Sequence, residues 1–133
     1  ILIGNGETKE DIMRKIVELK IEKNIILLEN IKNVNEYMQA FDLFLFPSLY
    51  EGLGIVLIEA QAAGLKCFAS DTIPRNAKIS DNLIFLSLSS SPRQWANIMK
   101  DNIGYKRLNM LNMVKSNNFD RNSIMRNMEE IYG

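Results

Sequence analysis

The chain has 133 residues in which 16 basic side chains balance 16 acidic ones, so no net field favours nucleic acid or an anionic membrane surface. Its single cysteine excludes an internal disulfide, and the absence of histidine removes Ser-His-Asp and Cys-His catalysis and most catalytic zinc sites. The length suits one domain, no stretch approaches the roughly 20 apolar residues of a membrane span, and no signal peptide opens the chain.

Ile1–Gly4 reads as a short buried strand, although a start on Ile1 inside an apolar run suggests a piece excised from something larger. Thr8 is placed to cap the next helix, with Asp11 three residues on as a capping-box partner. Ile12, Ile16 and Leu19 then form the helical stripe expected to face a sheet. Ile25–Leu28 is the second strand and Asn35–Ala40 a short helix. Asp42–Phe46 is the kind of unbroken apolar strand that parallel sheets bury on both faces, and Pro47 ends it because proline cannot continue a ladder. A helix follows over about 55–63, closed by Gly64. Cys67–Ala69 and Leu83–Leu86 are further strands, separated by a polar loop. Ser89-Ser90-Ser91-Pro92 reads as a cap with proline in the first turn, opening helices over about 93–102, 105–116 and 119–131. Strands alternating with helices predict an α/β fold around a parallel sheet.

The run Pro47-Ser48-Leu49-Tyr50-Glu51-Gly52-Leu53-Gly54-Ile55-Val56-Leu57-Ile58-Glu59-Ala60 concentrates the chemistry. Gly52 and Gly54 allow close approach of the backbone to a ligand and dihedrals barred to other residues. The helix they open offers unpaired N–H groups and a positive dipole end, which suits a phosphate. Glu51 lies at a strand's carboxyl end, in the crevice where open α/β sheets bind ligands. Glu59 sits in a helix otherwise apolar from Ile55 to Ala63, with no lysine or arginine within four positions. A carboxylate there needs hydrogen-bond donors, and vicinal sugar hydroxyls would serve.

Glu51 and Glu59 with seven residues between them, and Glu51-Gly52-Leu53-Gly54 within, resemble the donor-site motif of retaining glycosyltransferases of group 1 (family 4), which have the GT-B fold. Ile1-Leu2-Ile3-Gly4-Asn5-Gly6, Ala40–Ser48 and Glu59–Cys67 are similar to that family's neighbouring segments, so the likeness runs from Ile1 to about Leu88. The resemblance implies a Rossmann-like sheet with helices on both faces, the C-terminal half-domain of a GT-B enzyme that lacks its first strand. It implies transfer of a sugar from a nucleoside-diphosphate sugar, a UDP-sugar favoured, to an acceptor hydroxyl with retention. No cofactor and no metal are expected. By the same resemblance Glu51 is the catalytic-site carboxylate near the transferred sugar, and Glu59 accepts from the donor's ribose hydroxyls. The N–H groups of Gly52, Leu53, Gly54 and Ile55 would face the sugar and diphosphate. Gly4 and Gly6 either form a plain turn or line the donor cleft, and backbone from Asn30 to Val34 would meet the base. Asn30 stands where relatives usually carry glycine, a substitution that tolerates positive φ. Asp71 and Arg75 are weaker candidates near the donor.

The segment Glu59–Cys67 looks most like bacterial enzymes of exopolysaccharide or capsule synthesis. That implies a glycan or lipid-linked acceptor, bound by an N-terminal domain that this chain lacks. It also implies a cytoplasmic protein peripheral to the inner face of the membrane, with no nucleic-acid partner. This fragment alone is expected to be inactive. Two alternatives are a non-catalytic sugar-nucleotide-binding domain and a GT-B-fold sugar-nucleotide epimerase, the latter disfavoured by the absence of histidine. Such sheets have the order 3-2-1-4-5-6, and the likeness begins at the second strand. Ile1–Gly4 and Asp42–Phe46 are therefore expected to close the gap by pairing directly, and a homodimer to cover the apolar surface left over. Cys67 and Trp95 read as core, and Ile124, Met128, Ile131 and Tyr132 as an ordinary helical stripe.

Overall fold

A computed structural model of the chain describes residues 1–107, 109–117, 119 and 122. The chain divides into two compact units, Ile1–Val34 and the remainder from Asn35. The expected stripe through Ile124, Met128, Ile131 and Tyr132 lies outside the described residues.

In the first unit β1 (Leu2–Ile3) pairs in parallel with β2 (Leu27–Leu28), Leu2 opposite Leu27 and Ile3 opposite Leu28. The α1 helix (Lys9–Glu18) connects them, followed by one 3-10 turn over Glu22–Asn24. Thr8 occupies the N-cap position, but its side chain makes no cap bond, and Asp11 instead pairs with Arg14 one turn on. Of the predicted stripe only Ile16 is buried, while Ile12, Met13, Val17 and Leu19 are exposed. A sheet of two two-residue strands is too narrow to cover more of it. The helix ends on Lys20 in the left-handed conformation (φ +55°). Ile21 N–H there donates to Ile16 O and Lys20 N–H to Val17 O, a Schellman closure without glycine.

The second unit carries α2 (Val34–Ala40), β3 (Leu43–Phe46), α3 (Ile55–Ala62), β4 (Lys66–Ser70), β5 (Leu83–Leu86), α4 (Pro92–Lys100) and α5 (Leu111–Ser116). Its three described strands run parallel in the order β3-β4-β5, with Phe46 opposite Ala69 and Ala69 opposite Phe85. The result is a Rossmann-like α/β arrangement of parallel strands flanked by helices. β4 is central and is buried from Cys67 to Ser70, and Leu57, Ile58 and Ala60 of α3, with Met38, Leu65, Ile73 and Leu83, complete the core. Ser91 caps α4 with Pro92 in the first turn, as the sequence predicts, and Gln94 adds the return bond of a reciprocal capping box. Trp95 is buried and its indole N–H donates to Ser87 O at 2.9 Å.

The described strands fall into two sheets, β1-β2 in the first unit and β3-β4-β5 in the second. Leu45 of β3 is 47% exposed, where burial on both faces was expected. The helix expected over 105–116 begins only at Leu111. Gly104 takes φ +85°, the Tyr105 hydroxyl donates to Asn82 Oδ1 at 2.8 Å, and Arg107 donates to the carbonyls of Met38, Gln39 and Phe41. Those partners cap the end of α2 and hold residues 105–107 in an irregular path. No helix among the described residues is long and apolar enough to cross a membrane.

Candidate functional site

β3 delivers the chain to Pro47, whose missing N–H ends the ladder with β4. Hydroxyl groups take over from there. Ser70, fully buried at the end of β4, donates through Oγ to Ser48 O, and Thr72 Oγ1 reaches the same carbonyl at 3.1 Å. Ser48 Oγ in turn lies 3.0 Å from Tyr50 O and 3.0 Å from Glu51 Oε1. Glu51 is thus half-buried and oriented, not a free loop charge.

The two glycines that follow differ. Gly54 is buried at the N-cap of α3 with φ +72°, ψ +48°, a left-handed conformation. A Cβ there would meet only ordinary contacts, the nearest being Leu57 Cδ1 at 3.5 Å, so the dihedral and not the space demands glycine. Gly52 is exposed, lies outside the positive-φ residues, and has open space where a Cβ would stand. Because Gly54 has no side chain, α3 starts without a side-chain cap, and its first-turn N–H groups at Ile55 and Val56 keep their capacity for an anion. The other end of α3 is closed by Gly64 (φ +76°), with Leu65 N–H on Ala60 O and Gly64 N–H on Gln61 O, a Schellman motif.

Glu59 departs from the premise that it is a buried carboxylate. It projects from the exposed side of α3, whose buried face is Leu57, Ile58, Ala60 and Gln61. It lines a groove of about 290 Å³ with Asn35, Met38, Gln39, Ala62 and Ala63, and makes no ion pair among the described residues. The buried polar residue of this helix is Gln61. Its Nε2 donates to Leu57 O at 2.9 Å and Ala77 O at 2.8 Å, and its Oε1 accepts from Ile79 N, Ser80 N and Ser80 Oγ, each at 3.1 Å. Gln61 therefore fastens the loop after β4 to α3.

Glu51, Gly52, Leu53, Gly54, Ile55 and Glu59 all belong to the second unit, whereas Gly4, Gly6, Asn30 and Val34 belong to the first. Gly4 N–H donates to Leu28 O, and Gly6 O accepts from Lys9 N as the chain turns into α1. Asn30 takes φ +53°, the left-handed conformation that asparagine tolerates. Val34 opens α2. Asp71 and Arg75 have structural partners: Asp71 Oδ1 accepts a long bond from Leu88 N at 3.4 Å, and the Arg75 guanidinium stacks 4.0 Å above the Phe85 ring. The sequence reading missed Ser48, Ser70, Thr72 and Gln61 as site residues or supports. Their one signal is polar residues at the carboxyl ends of β3 and β4 and within an apolar helix. Among the described residues no group of acidic or cysteine side chains is arranged to hold a metal.

The model of the family described as Glycosyl transferases group 1 matches residues 1–103. A protein named Putative glycosyltransferase EpsF, from Bacillus subtilis, is 37% identical over 97 residues, covering 72% of this chain and 25% of the relative. The capsular polysaccharide biosynthesis glycosyltransferase CapH of Staphylococcus aureus is 32% identical over 136 residues, covering 98% of this chain and 37% of the relative. The UDP-Gal:alpha-D-GlcNAc-diphosphoundecaprenol alpha-1,3-galactosyltransferase of Escherichia coli is 26% identical over 129 residues, covering 86% and 33%. The chain therefore spans between a quarter and somewhat more than a third of these curated relatives.

Proposed function

The chain belongs to the group 1 glycosyl transferases, and from that premise we propose that it is the sugar-nucleotide-binding part of a retaining enzyme with the GT-B fold. The enzyme moves a sugar from a nucleoside diphosphate, a uridine diphosphate sugar favoured, to an acceptor hydroxyl. The observation that carries the reading is the start of α3: an uncapped helix N-terminus behind a left-handed glycine, with an oriented carboxylate beside it. A leaving diphosphate gains negative charge as the glycosidic bond breaks, and preorganised N–H groups stabilise that charge without reorganising. The N–H groups of Gly52, Leu53, Gly54 and Ile55 receive the sugar and diphosphate, and Glu51 orients the transferred sugar. Glu59, with its carboxylate free in the groove beside α2, accepts from the ribose hydroxyls. In the first unit, Gly4 and Gly6 are candidates to line the donor cleft, and backbone from Asn30 to Val34 is the candidate contact for the base.

The acceptor is a growing glycan or a lipid-linked sugar, bound by a further domain. The relatives from Staphylococcus aureus and Escherichia coli, named for capsular polysaccharide and for an undecaprenol-linked acceptor, support this reading. The whole enzyme then works in bacterial surface-polysaccharide synthesis, in the cytoplasm at the inner membrane face. The donor-binding part alone does not catalyse transfer, and it self-associates through its uncovered apolar surface as a homodimer. Titration of uridine diphosphate into the chain, followed by backbone amide shifts, tests the site. Millimolar binding, about −4 kcal/mol, is expected, with perturbations centred on residues 29–34 and 51–59. Shifts centred elsewhere would overturn the assignment.

A further inference from the structure

We propose that Ser48 is a positioning residue for Glu51, and that the buried Ser70 sets its place through the Ser48 carbonyl. The argument starts where the backbone ladder stops. Phe46 is opposite Ala69, the last pair of the β3–β4 register, and Pro47 has no N–H with which to continue it. The chain that carries Glu51 would leave the sheet with no backbone anchor. Ser70 and Thr72 supply one from β4 and the turn after it. Ser70 Oγ and Thr72 Oγ1 both reach Ser48 O and lie 2.9 Å from each other. Three contacts share two hydroxyl protons, and in every arrangement of those protons the Ser48 carbonyl keeps at least one donor.

The Ser48 hydroxyl carries the constraint outward. Its single proton has two acceptors, Tyr50 O and Glu51 Oε1, each at 3.0 Å. Either choice folds residues 48–51 back on themselves, and the second also fixes one carboxylate oxygen of Glu51. A hydrogen bond to a charged acceptor is about twice as strong as a neutral one, so the ionised carboxylate holds the hydroxyl as firmly as the hydroxyl holds it. The other oxygen of Glu51 is left for a ligand. The chain of contacts thus runs from the fully buried end of β4 to a half-buried carboxylate at the mouth of α3.

This inference rests on the reading of Glu51 as the carboxylate at the transferred sugar, and its test separates the two. In the full-length glycosyltransferase containing this domain, kcat, donor KM and uridine diphosphate affinity are measured for Ser48→Ala, Ser48→Thr, Ser70→Ala, Glu51→Ala and Ser48→Ala/Glu51→Ala. Ser48→Ala is expected to lower kcat about tenfold, as misplacement of a catalytic group does, with diphosphate affinity unchanged within about twofold. Ser48→Thr keeps the hydroxyl and restores kcat to within about threefold of the parent. Ser70→Ala, assayed below its own unfolding midpoint, lowers kcat in the same direction. In the Glu51→Ala background Ser48→Ala has no further effect. A Ser48→Ala loss that persists undiminished without Glu51, or that falls on diphosphate affinity instead of kcat, overturns the positioning role. If Glu51→Ala lowers kcat and Ser48→Ala does not, positioning alone is wrong. If Glu51→Ala leaves kcat intact, the reading of Glu51 and the inference fall together.

Discussion

Gly54 and Gly52 stand two residues apart, and only one of them is required by the backbone. Gly54 holds φ +72° at the start of α3, where an L side chain costs about 1–2 kcal/mol whatever the space around it. Gly54→Ala is therefore expected to lower unfolding stability by about that amount, while Gly52→Ala stays within ~0.5 kcal/mol. Urea unfolding of the two variants gives the comparison. The Gly-x-Gly spacing was visible in the sequence, but not which glycine is bound by its dihedral. Asn30 was more legible, because asparagine tolerates positive φ better than most residues, and φ is +53°. Cys67 was legible as core. Burial pushes its thiol from 9.0 up to about 12, against a smaller opposing effect of Lys66. The folded state therefore keeps a proton that the unfolded chain releases first. The stability this contributes is whole below pH 9 and is lost as pH rises toward 12. A stability profile by urea midpoint should fall across that window, and a thiol reagent at neutral pH should label Cys67 only after unfolding.

Elements were read more faithfully than their neighbours. All five strands, the motif helix and the capped α4 follow from apolar runs, Pro47, Gly64 and the Ser91–Pro92 start, signals that act within a few residues. The errors lie where distant partners decide. Residues 105–107 have a helical pattern but are held by Asn82 and by the carbonyls at the end of α2, none of them near in sequence. Ser48 escaped notice for the same reason, since its anchor Ser70 is identified only by the β3–β4 register. Gln61 shows the energetic side. Its amide serves the Ala77 carbonyl and the amides of Ile79 and Ser80 across 16 to 19 residues, all within the core. Gln61→Leu would leave those backbone groups buried and unpaired at about 1–3 kcal/mol for each desolvated group. The expected loss is about 3 kcal/mol by thermal or urea unfolding, well above the cost of removing an exposed glutamine.

At the scale of the molecule, apolar burial is unevenly distributed. In Ile1–Val34 only Ile16 is buried, and Val17 and Leu19 are more than half exposed, while β4 is buried from Cys67 to Ser70. Few buried contacts and two-residue strands mark a segment that opens at low free energy. Native-state hydrogen exchange should therefore find Leu2 and Gly4, although bonded to Ile26 O and Leu28 O, exchanging at least about a hundredfold faster than Cys67 and Asp71. Comparable protection in both sets would contradict this. The sequence marked both segments as apolar strands and could not rank them, because hydrophobicity states what a strand could bury and not how much partner surface it finds.

The left-handed glycines at 54 and 64 also act on the length of what lies between them. With its first and last turns both locked, α3 cannot absorb an added residue by fraying, so the spacing from Glu51 to Glu59 behaves as a ruler. One alanine inserted after Val56 would advance every later side chain by about 100° and 1.5 Å. Glu59 would rotate off the groove into the buried place of Ala60, and Ile58 would turn toward solvent in its stead. One alanine inserted between Leu49 and Tyr50, both highly exposed, meets no helix lock and disturbs only the Ser48 hydroxyl contacts. The first insertion is expected to abolish cooperative unfolding, and the second to leave the unfolding midpoint nearly unchanged. If the chain tolerated both equally, the ruler would be refuted. Variation in length among functional descendants of this sequence should then collect before Ser48 and after Gly64, and spare the nine residues between the glycines.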